Sequence, residues 1–168
     1  GRAAVAAIER AASLALAGRV DAVVTAPINK EAIWAAGAGQ LGHTEMLADL
    51  TGAGRSTTMF LVHDLKIFFA TRHMSLRRAL DAIDVPSQRK SIAESLETLR
   101  VFGHDRPRLA VAAINPHGGE NGNFGDEEIR VLAPAVEAAR GDGADIAGPI
   151  PADSVFYQGL EGRYDGVL

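Results

Sequence analysis

The sequence predicts an α/β fold in which helices flank a mixed sheet, and three observations lead to this prediction. Helical patterns alternate along the chain with short, apolar, β-branched runs that are typical of buried strands. Two further β-rich runs, at residues 57–62 and 66–70, lie close enough together to form an antiparallel hairpin. The chain has 168 residues, of which 47% are apolar. It is therefore long enough to bury a core, and we expect one domain over residues 1–168.

The amino-terminal elements are predicted from periodicity and from the residues that end them. Apolar side chains at helical spacing from Val5 onward predict a first helix that ends at Gly18. Residues 20–25 form an apolar, β-branched run and predict a buried strand. Pro27 is suited to a first helical turn, and residues 28–36 predict a short second helix.

The middle of the chain predicts three more helices. One begins near His43. Another follows Ser75, whose side chain is suited to cap a helix over residues 76–83. The third is amphipathic and ends at Gly103. Its apolar positions are Ile92, Leu96 and Leu99.

The last third of the chain predicts a strand, a loop, a helix, a further strand, a short helix after Asp153 and the start of a last strand. Residues 109–114 form another buried strand, whereas residues 115–125 are rich in glycine and asparagine and show no core periodicity. Acidic residues from Asp126 onward open the next helix, where they suit the positive end of its dipole. One strand follows near Ile146 and another begins within residues 164–168. The buried face of the helix is predicted to comprise Ile129, Leu132 and Val136.

Charge and composition exclude several classes of function. The 17 Lys and Arg residues and the 21 Asp and Glu residues give a net charge of −4, so no basic excess is available to neutralise a phosphate backbone. The absence of cysteine removes disulfides, thiolate zinc sites and cysteine nucleophiles. No apolar run approaches the length of a membrane span, and the sequence begins without the organisation of a signal peptide. We therefore expect a cytoplasmic protein with no nucleic-acid or membrane partner.

Three of the histidines have settings that suit ligand binding. His43 follows Gly42 at a predicted helix start, where backbone N–H groups favour an anion. His73 and His117 each follow a predicted strand, and α/β sheets bind ligands at the carboxyl ends of their strands. Two imidazoles there could supply part of a metal site, although a catalytic zinc site takes three protein ligands. Ordinary surface histidines are the alternative interpretation.

Other polar residues have two interpretations each. The glycine-rich stretch after His117 either wraps a phosphate with backbone N–H groups or is an ordinary loop. Lys30 lies in the first turn of a predicted helix, where either a bound anion or solvent balances its charge. Asp153 follows another strand and is either a catalytic carboxylate or a helix N-cap. The GxGxxG, P-loop and GxSxG motifs do not occur in the sequence.

Five short motifs occur in one order from Thr25 onward, and five ordered motifs are more specific than any single match. They are Thr25-Ala26-Pro27-Ile28-Asn29-Lys30, Gly42-His43-Thr44-Glu45, Thr71-Arg72-His73, Asn115-Pro116-His117 with Gly119-Glu120, and Gly148-Pro149-Ile150-Pro151-Ala152-Asp153. Together they resemble the 4-hydroxythreonine-4-phosphate dehydrogenase family of vitamin B6 biosynthesis.

The resemblance implies that NAD oxidises the hydroxyl of 4-phosphooxy-L-threonine to a β-keto acid that loses carbon dioxide, in pyridoxal phosphate biosynthesis. It implies a fold similar to the isocitrate and isopropylmalate dehydrogenases, which lack the GxGxxG fingerprint. His43 and Thr44 match the family's substrate-binding pair. His73 and His117 match two of its three metal-binding histidines, with zinc, cobalt or magnesium as the ion. The family's site is shared across a homodimer, and we expect Asp153 to assist proton movement.

The resemblance also implies that the chain is the central, dimerisation part of a longer two-domain enzyme, truncated at both ends. The family's third histidine lies in a Tyr-His-Asp-Gln-Gly motif just after a segment like residues 165–168, so we expect the chain alone to be inactive. Two alternatives stay open. One is a dehydrogenase of a related phosphate, such as erythronate or threonate 4-phosphate, and the other is a non-catalytic metal-binding dimerisation module. A phosphate acyltransferase of the same broad superfamily is a more remote alternative.

Overall fold

The computed structural model describes residues 1–40, 42–54 and 56–168. The chain divides into two compact units, Gly1–Ser56 and Thr57–Leu168. The first is helical and the second contains the sheet. This division does not test the prediction of a single domain, which stays a prediction. Within the described residues, no helix is both long and apolar enough to cross a membrane.

Three helices build the first unit: α1 (Arg2–Leu16), α2 (Lys30–Ala35) and α3 (His43–Thr51). The predicted first helix is confirmed, and so is the helix that begins near His43. The helices bury a small core, because each contributes one large apolar side chain to it. These side chains are Ile8, Ile33 and Met46.

One prediction for the first unit is wrong, and the second helix is confirmed with shorter bounds and a later start. Residues 20–25 form no strand, and the side chain of Val24 is 97% exposed. A strand needs a neighbour for its backbone hydrogen bonds, and the described part of this unit contains no other strand. The second helix starts after Asn29 rather than near Pro27. The Asn29 side chain accepts a hydrogen bond from the Ala32 N–H at 2.8 Å and caps the helix there.

Five strands build the sheet of the second unit: β1 (Met59–Val62), β2 (Leu65–Phe68), β3 (Arg108–Ala112), β4 (Asp145–Ile150) and β5 (Gly166–Val167). Their order is β1-β2-β5-β3-β4. β1 and β2 form the predicted antiparallel hairpin, in which Met59 pairs with Phe68. β2, β5, β3 and β4 are parallel to one another, so their carboxyl ends lie at one edge. The strands predicted at residues 109–114 and 164–168 are confirmed with shorter bounds.

Four helices accompany this sheet: α4 (Leu76–Asp81), α5 (Val85–Val101), α6 (Ala133–Gly141) and α7 (Ala152–Leu160). Ser75 caps α4 as predicted, since its Oγ accepts from the Arg78 N–H at 3.4 Å. The apolar positions predicted for the amphipathic helix are buried on α5.

The core lies on both faces of the sheet. Leu109 and Val111 of β3 pack in the larger cluster with residues of α5 and α6. Ala110, between them, packs with Val155 of α7 in a smaller cluster. Successive strand side chains point to opposite faces, so α5 and α6 cover one face and α7 covers the other. The predicted α/β fold with a mixed, helix-flanked sheet is confirmed.

The predicted buried face of the helix after the glycine-rich segment is wrong at one position. Ile129 is 54% exposed, whereas Glu128 is 3% exposed and both Leu132 and Val136 are buried. The segment Glu128–Leu132 forms a single π-helical turn before α6. A π-helical turn holds more residues than an α-helical turn, so it displaces Ile129 from the buried face and brings Glu128 there.

Candidate active site

Two side chains meet where the neighbouring strands β3 and β4 end. His117 follows β3, Asp153 lies in the first turn of α7 after β4, and His117 Nδ1 is 3.9 Å from Asp153 Oδ2. Both side chains are 64% exposed. They line an open pocket of about 370 Å³ together with Ile114, Asn115, Pro116 and Ala152. The structure therefore brings two predicted site residues together at the carboxyl edge of the sheet, where α/β proteins bind ligands.

The segment that carries His73 leaves the sheet at the same edge, because β2 ends at Phe68 and His73 follows five residues later. It follows β2, and β5 lies between β2 and β3, the strand that leads to His117. Neighbouring strands are about 4.8 Å apart, so the ends of β2 and β3 are about 10 Å apart. The His73 side chain is exposed, and its backbone has a φ of +54°. Few non-glycine residues adopt such a φ. His73 shares this uncommon left-handed backbone with His117.

The loop that carries His117 has an unusual backbone. Six consecutive residues, 117–122, have positive φ, and three of them are not glycine: His117 at +52°, Glu120 at +41° and Asn121 at +56°. Left-handed backbone costs roughly 1–2 kcal/mol for each non-glycine residue and normally occurs at single positions. Strain of this kind concentrates at functional sites, where the surrounding structure offsets it.

A buried carboxylate holds the start of this loop. Glu128 Oε1 accepts hydrogen bonds from the N–H groups of Ile114 at 2.8 Å and Asn115 at 2.7 Å. Glu128 Oε2 accepts one from Asn115 Nδ2 at 2.9 Å, and Glu127 Oε2 accepts another from the same nitrogen at 2.6 Å. Burial raises the pKa of Glu128, but its hydrogen bonds outweigh that effect and hold the pKa below its ordinary value. Glu128 is therefore ionised at neutral pH although it is buried.

Sequence reasoning missed this role of Glu128. The sequence shows an Asn directly after a strand and two consecutive Glu residues at the next helix start. That pattern is the only feature of the sequence that points to a contact between Asn115 and the two glutamates. It does not show burial, because the partners of Glu128 lie 13 and 14 residues earlier in the chain.

The residues at the sheet edge match a divalent transition-metal ion in donor type, because imidazole suits zinc, cobalt and related ions. His73 and His117 supply two such donors, and the carboxylate of Asp153 beside His117 resembles the partners that orient metal-bound histidines. Among residues 1–40, 42–54 and 56–168, no group of three or more His, Asp or Glu side chains is arranged to hold an ion. The described residues thus supply two imidazoles, one fewer than the three protein ligands of a catalytic zinc site.

His43 begins α3 in the first unit, directly after Gly42. Its Nε2 atom is buried and has no hydrogen-bond partner in the part of the chain that the structure describes. The imidazole lines a pocket of about 200 Å³ with side chains of α1 and with residues 23–28. A buried polar atom without a partner costs free energy, so a hydrogen-bonding ligand would stabilise this ring.

The start of α3 also has a cation beside it. Lys30, in the first turn of α2, has its Cε 3.9 Å from the place where a Cβ of Gly42 would lie. Glu45 Oε2 is 3.6 Å from the same point. Thr44 is exposed in the first turn of α3. The helix N-terminus, an ammonium group and two polar side chains thus occupy one region of the first unit, with one carboxylate nearby.

The N-cap interpretation of Asp153 is wrong. The N-cap of α7 is Pro151, and no side chain forms a capping hydrogen bond there. Asp153 lies within the first helical turn, where its charge suits the positive end of the helix dipole. Its carboxylate remains accessible to a ligand in the pocket with His117.

The class of protein follows from the mixed sheet, from the helices on both its faces and from the polar side chains at its carboxyl edge. The chain has the fold of the isocitrate and isopropylmalate dehydrogenase-like proteins, which solved structures of similar chains share. A family model described as pyridoxal phosphate biosynthetic protein PdxA matches residues 1–168. The chain belongs to the PdxA family, which confirms the resemblance carried by the five motifs.

Several relatives and solved structures are similar to the chain. A Cutibacterium acnes protein with the provisional name D-threonate 4-phosphate dehydrogenase is 58% identical over 168 residues, which are 100% of this chain and 49% of that protein. The crystal structure of 4-hydroxythreonine-4-phosphate dehydrogenase from Klebsiella pneumoniae is 48% identical with a TM-score of 0.85, over 97% of this chain and 49% of that one.

A more distant structure has the same fold. The terephthalate 1,2-cis-dihydrodiol dehydrogenase from Burkholderia xenovorans LB400 is 29% identical with a TM-score of 0.70, over 99% of this chain and 52% of that one. The present chain therefore spans about half the length of the relatives it matches.

Proposed function

We propose that the intact protein is an oxidoreductase that uses NAD to oxidise a four-carbon hydroxy acid 4-phosphate with the help of a divalent metal ion. Membership of the PdxA family and the names of relatives support the dehydrogenase class. The structural observation that carries the proposal is the pair His117 and Asp153, which lie 3.9 Å apart at the carboxyl edge of the sheet. An imidazole and a carboxylate at such an edge suit the metal-assisted removal of a hydroxyl proton.

The reaction removes a hydride from the carbon that bears the hydroxyl and transfers it to NAD⁺, while the hydroxyl proton passes to the protein. His73 and His117 would hold the ion (zinc, cobalt or magnesium) with further ligands from outside the described residues. When bound, the ion would supply a Lewis acid that lowers the pKa of the substrate hydroxyl and polarises the ketone. Asp153 accepts the proton, because its carboxylate is exposed and lies beside His117. The product is a β-keto acid, which loses carbon dioxide.

The region around the start of α3 binds the anionic part of the substrate in this proposal. The backbone N–H groups of the first turn favour a phosphate, and the ammonium group of Lys30 lies on the same side of the first unit. His43 Nε2 gains the hydrogen-bond partner that it lacks among the described residues. The Thr44 hydroxyl adds a further donor.

Two substrates fit this chemistry, and the relatives support both. 4-Phosphooxy-L-threonine is the expectation from the motifs, and the Klebsiella pneumoniae structure carries the matching name. D-Threonate 4-phosphate is favoured by the name of the relative with 58% identity. The two compounds differ at carbon 2, which carries an ammonium group in the first and a hydroxyl in the second. One hydrogen bond or charge in the pocket is enough to select between them.

The test is an assay of the intact protein with each phosphate, with NAD⁺ or NADP⁺, and with zinc, cobalt or magnesium added after chelation. We expect NADH and carbon dioxide to form from at least one of the two phosphates, and we expect the metal to be required. If neither phosphate reduces NAD⁺ under any metal, the proposed function is wrong. If only NADP⁺ is reduced, the assignment of NAD is wrong.

We also propose that the intact protein is a homodimer whose subunits share the site. β1 is an edge strand, and its apolar side chains face solvent: Phe60 and Leu61 are each 58% exposed and Val62 is 42% exposed. Phe60 packs edge-on against Phe69 with ring centroids 4.7 Å apart, which extends the apolar surface onto the end of β2. Exposed apolar edge strands of this kind pair or become covered. A second copy of the chain is the partner we assign to the hairpin.

A further inference from the structure

The left-handed loop, residues 117–122, is held in place by contacts that offset the strain of its backbone. The three non-glycine residues with positive φ in residues 117–122 hold a left-handed backbone that is unfavourable for residues with a Cβ. A short loop of glycine and asparagine gains little from apolar burial, because most of its side chains are small or exposed. Polar contacts around the loop must therefore offset the strain.

Glu128 contacts this loop on both sides of His117. Before the histidine, its carboxylate accepts the N–H groups of Ile114 and Asn115 and the Asn115 side-chain amide, at 2.7 to 2.9 Å. After the histidine, Gly119 packs so closely that a Cβ on it would lie 2.9 Å from Glu128 Oε2. Glu128 lies in the π-helical turn before α6, so this one turn is hydrogen-bonded to the residues before His117 and packs against Gly119 after it.

We propose that Glu128 is the positioning residue of the site: its buried carboxylate holds His117 in the left-handed conformation that presents the imidazole beside Asp153. The expected fall in kcat rests on the proposed function, whereas the expected change in the surroundings of His117 does not. Glu128 touches no reacting group and acts through the loop that it holds. The π-helical turn, a feature frequent at functional sites, is what brings a glutamate to this buried position.

The geometry shows why a neutral side chain cannot replace Glu128. In a Glu128→Gln variant, the amide oxygen can still accept from the backbone of residues 114 and 115. The amide nitrogen then faces Asn115 Nδ2, so two donors oppose each other at about the 2.9 Å of the present hydrogen bond. Rotation of the Asn115 amide does not remove this conflict. It places Asn115 Oδ1 against Glu127 Oε2, so that two acceptors face each other where Nδ2 donates at 2.6 Å in the wild type. The variant therefore leaves a buried polar group without a hydrogen-bond partner, which destabilises the contact between Glu128 and the loop.

The test compares three variants of the intact protein. Glu128→Gln removes the charge at constant size. Asn115→Ala removes the amide and keeps both backbone hydrogen bonds of Glu128, so it serves if Glu128→Gln fails to fold. Glu137→Gln is the matched control, because Glu137 is an exposed glutamate of α6 whose ion pair is with Arg140 on the surface. Circular dichroism establishes that each variant is folded.

The first readout is a carbon–proton correlation spectrum of the protein labelled on its histidine rings, with the His117 signal assigned from a His117→Asn variant. We expect Glu128→Gln and Asn115→Ala to shift or broaden the His117 signal, while the signals of His43, His63 and His104 stay in place. Glu137→Gln leaves all of them unchanged. A His117 signal that coincides with wild type in a folded Glu128→Gln or Asn115→Ala protein overturns the proposal, whether or not the protein proves to be a dehydrogenase.

The second readout is steady-state kinetics with the phosphate that the wild type oxidises. We expect kcat of Glu128→Gln to fall by about 10- to 100-fold, the range found when partners that orient metal ligands are removed. We expect KM for the phosphate to change little, because Glu128 is buried and does not line the pocket of His117 and Asp153. A purely structural role for Glu128 lowers the melting temperature and leaves kcat per folded molecule at the wild-type value. That outcome contradicts the positioning role.

Discussion

Asp165 and Arg108 form a two-point ion pair at the amino ends of β5 and β3. Asp165 Oδ1 accepts from Arg108 Nη2 at 2.7 Å, and Oδ2 accepts from the Arg108 backbone N–H at 2.7 Å and from Nε at 3.3 Å. His104 Nδ1 is 3.6 Å from the same carboxylate. Burial raises the pKa of Asp165, but the hydrogen bonds and charge of Arg108 outweigh it and hold the pKa below its ordinary value of 3.8.

This pair predicts a pH dependence of stability. Because the folded state holds the pKa of Asp165 below its unfolded value, the contribution of the pair is fully present above the ordinary carboxyl range and is lost as the pH falls through the folded pKa. We expect Asp165→Asn to lower the free energy of unfolding at neutral pH by about 1–3 kcal/mol, with a smaller difference from wild type near pH 3. Urea unfolding at several pH values measures this. An equal effect at all pH values, or an equal effect of the exposed control Asp105→Asn, contradicts it.

Two adjacent glycines of the left-handed loop predict different costs of substitution. A Cβ on Gly119 would lie 2.6 Å from Gly125 O and 2.9 Å from Glu128 Oε2, whereas a Cβ on Gly118 has its nearest neighbour, Pro151 Cγ, at 3.9 Å. Both have positive φ. We expect Gly118→Ala to cost about 1–2 kcal/mol for the backbone alone and Gly119→Ala about 2–5 kcal/mol, because overpacking is added. Equal losses in chemical denaturation count against this account of the loop.

The start of α3 predicts a change in substrate affinity. We expect Thr44→Ala and His43→Ala each to raise KM for the phosphorylated substrate by about 10- to 150-fold, since a hydrogen bond to a charged group is worth about 1.5–3 kcal/mol. Thr51→Ala is the control: Thr51 ends the same helix, and its hydroxyl donates to Leu47 O at 2.7 Å. Initial rates over a range of substrate concentrations give KM and kcat separately. An unchanged KM in both variants removes these residues from the binding site.

The apolar edge strand predicts a dimer contact. We expect Leu61→Lys to weaken the homodimer of the intact protein, because it places a charge on a surface that a second copy covers. Val101→Lys is the matched control, since Val101 is 81% exposed at the end of α5. Both positions are exposed, so both variants fold. Light scattering over a range of concentrations measures the dimer, and identical dissociation of the two variants refutes the assignment of the hairpin.

Periodicity in the sequence predicts the elements whose structure depends on local pattern and burial. α1 and α5 follow from regularly spaced apolar residues, and the hairpin follows from two β-rich runs with a short connection. Residues 20–25 look equally strand-like, yet a strand also needs a paired neighbour. Local composition carries no information about that neighbour, so this prediction failed.

The sequence predicts the placement of His117 and Asp153 after strands better than it predicts the shape of the loop between β3 and α6. His117 and Asp153 each follow a strand, and parallel neighbouring strands bring such residues together. Glycine and asparagine at positions 118–122 indicate a loop, but they do not show that His117 and Glu120 share its left-handed backbone. The burial of Glu128 depends on backbone N–H groups at the end of a distant strand and on one π-helical turn. Neither has a signature in the sequence.

We propose that the carboxyl edge of the sheet holds a metal-assisted dehydrogenase site. The most direct test measures bound metal and turnover of the intact protein in His117→Ala and in His63→Ala. His63 is an apt control because it is also exposed and also has positive φ, +53°, but lies in the turn between β1 and β2. We expect His117→Ala to lose most of its bound metal and at least about 100-fold in turnover, and we expect His63→Ala to keep both. Wild-type metal content and turnover in His117→Ala would contradict it.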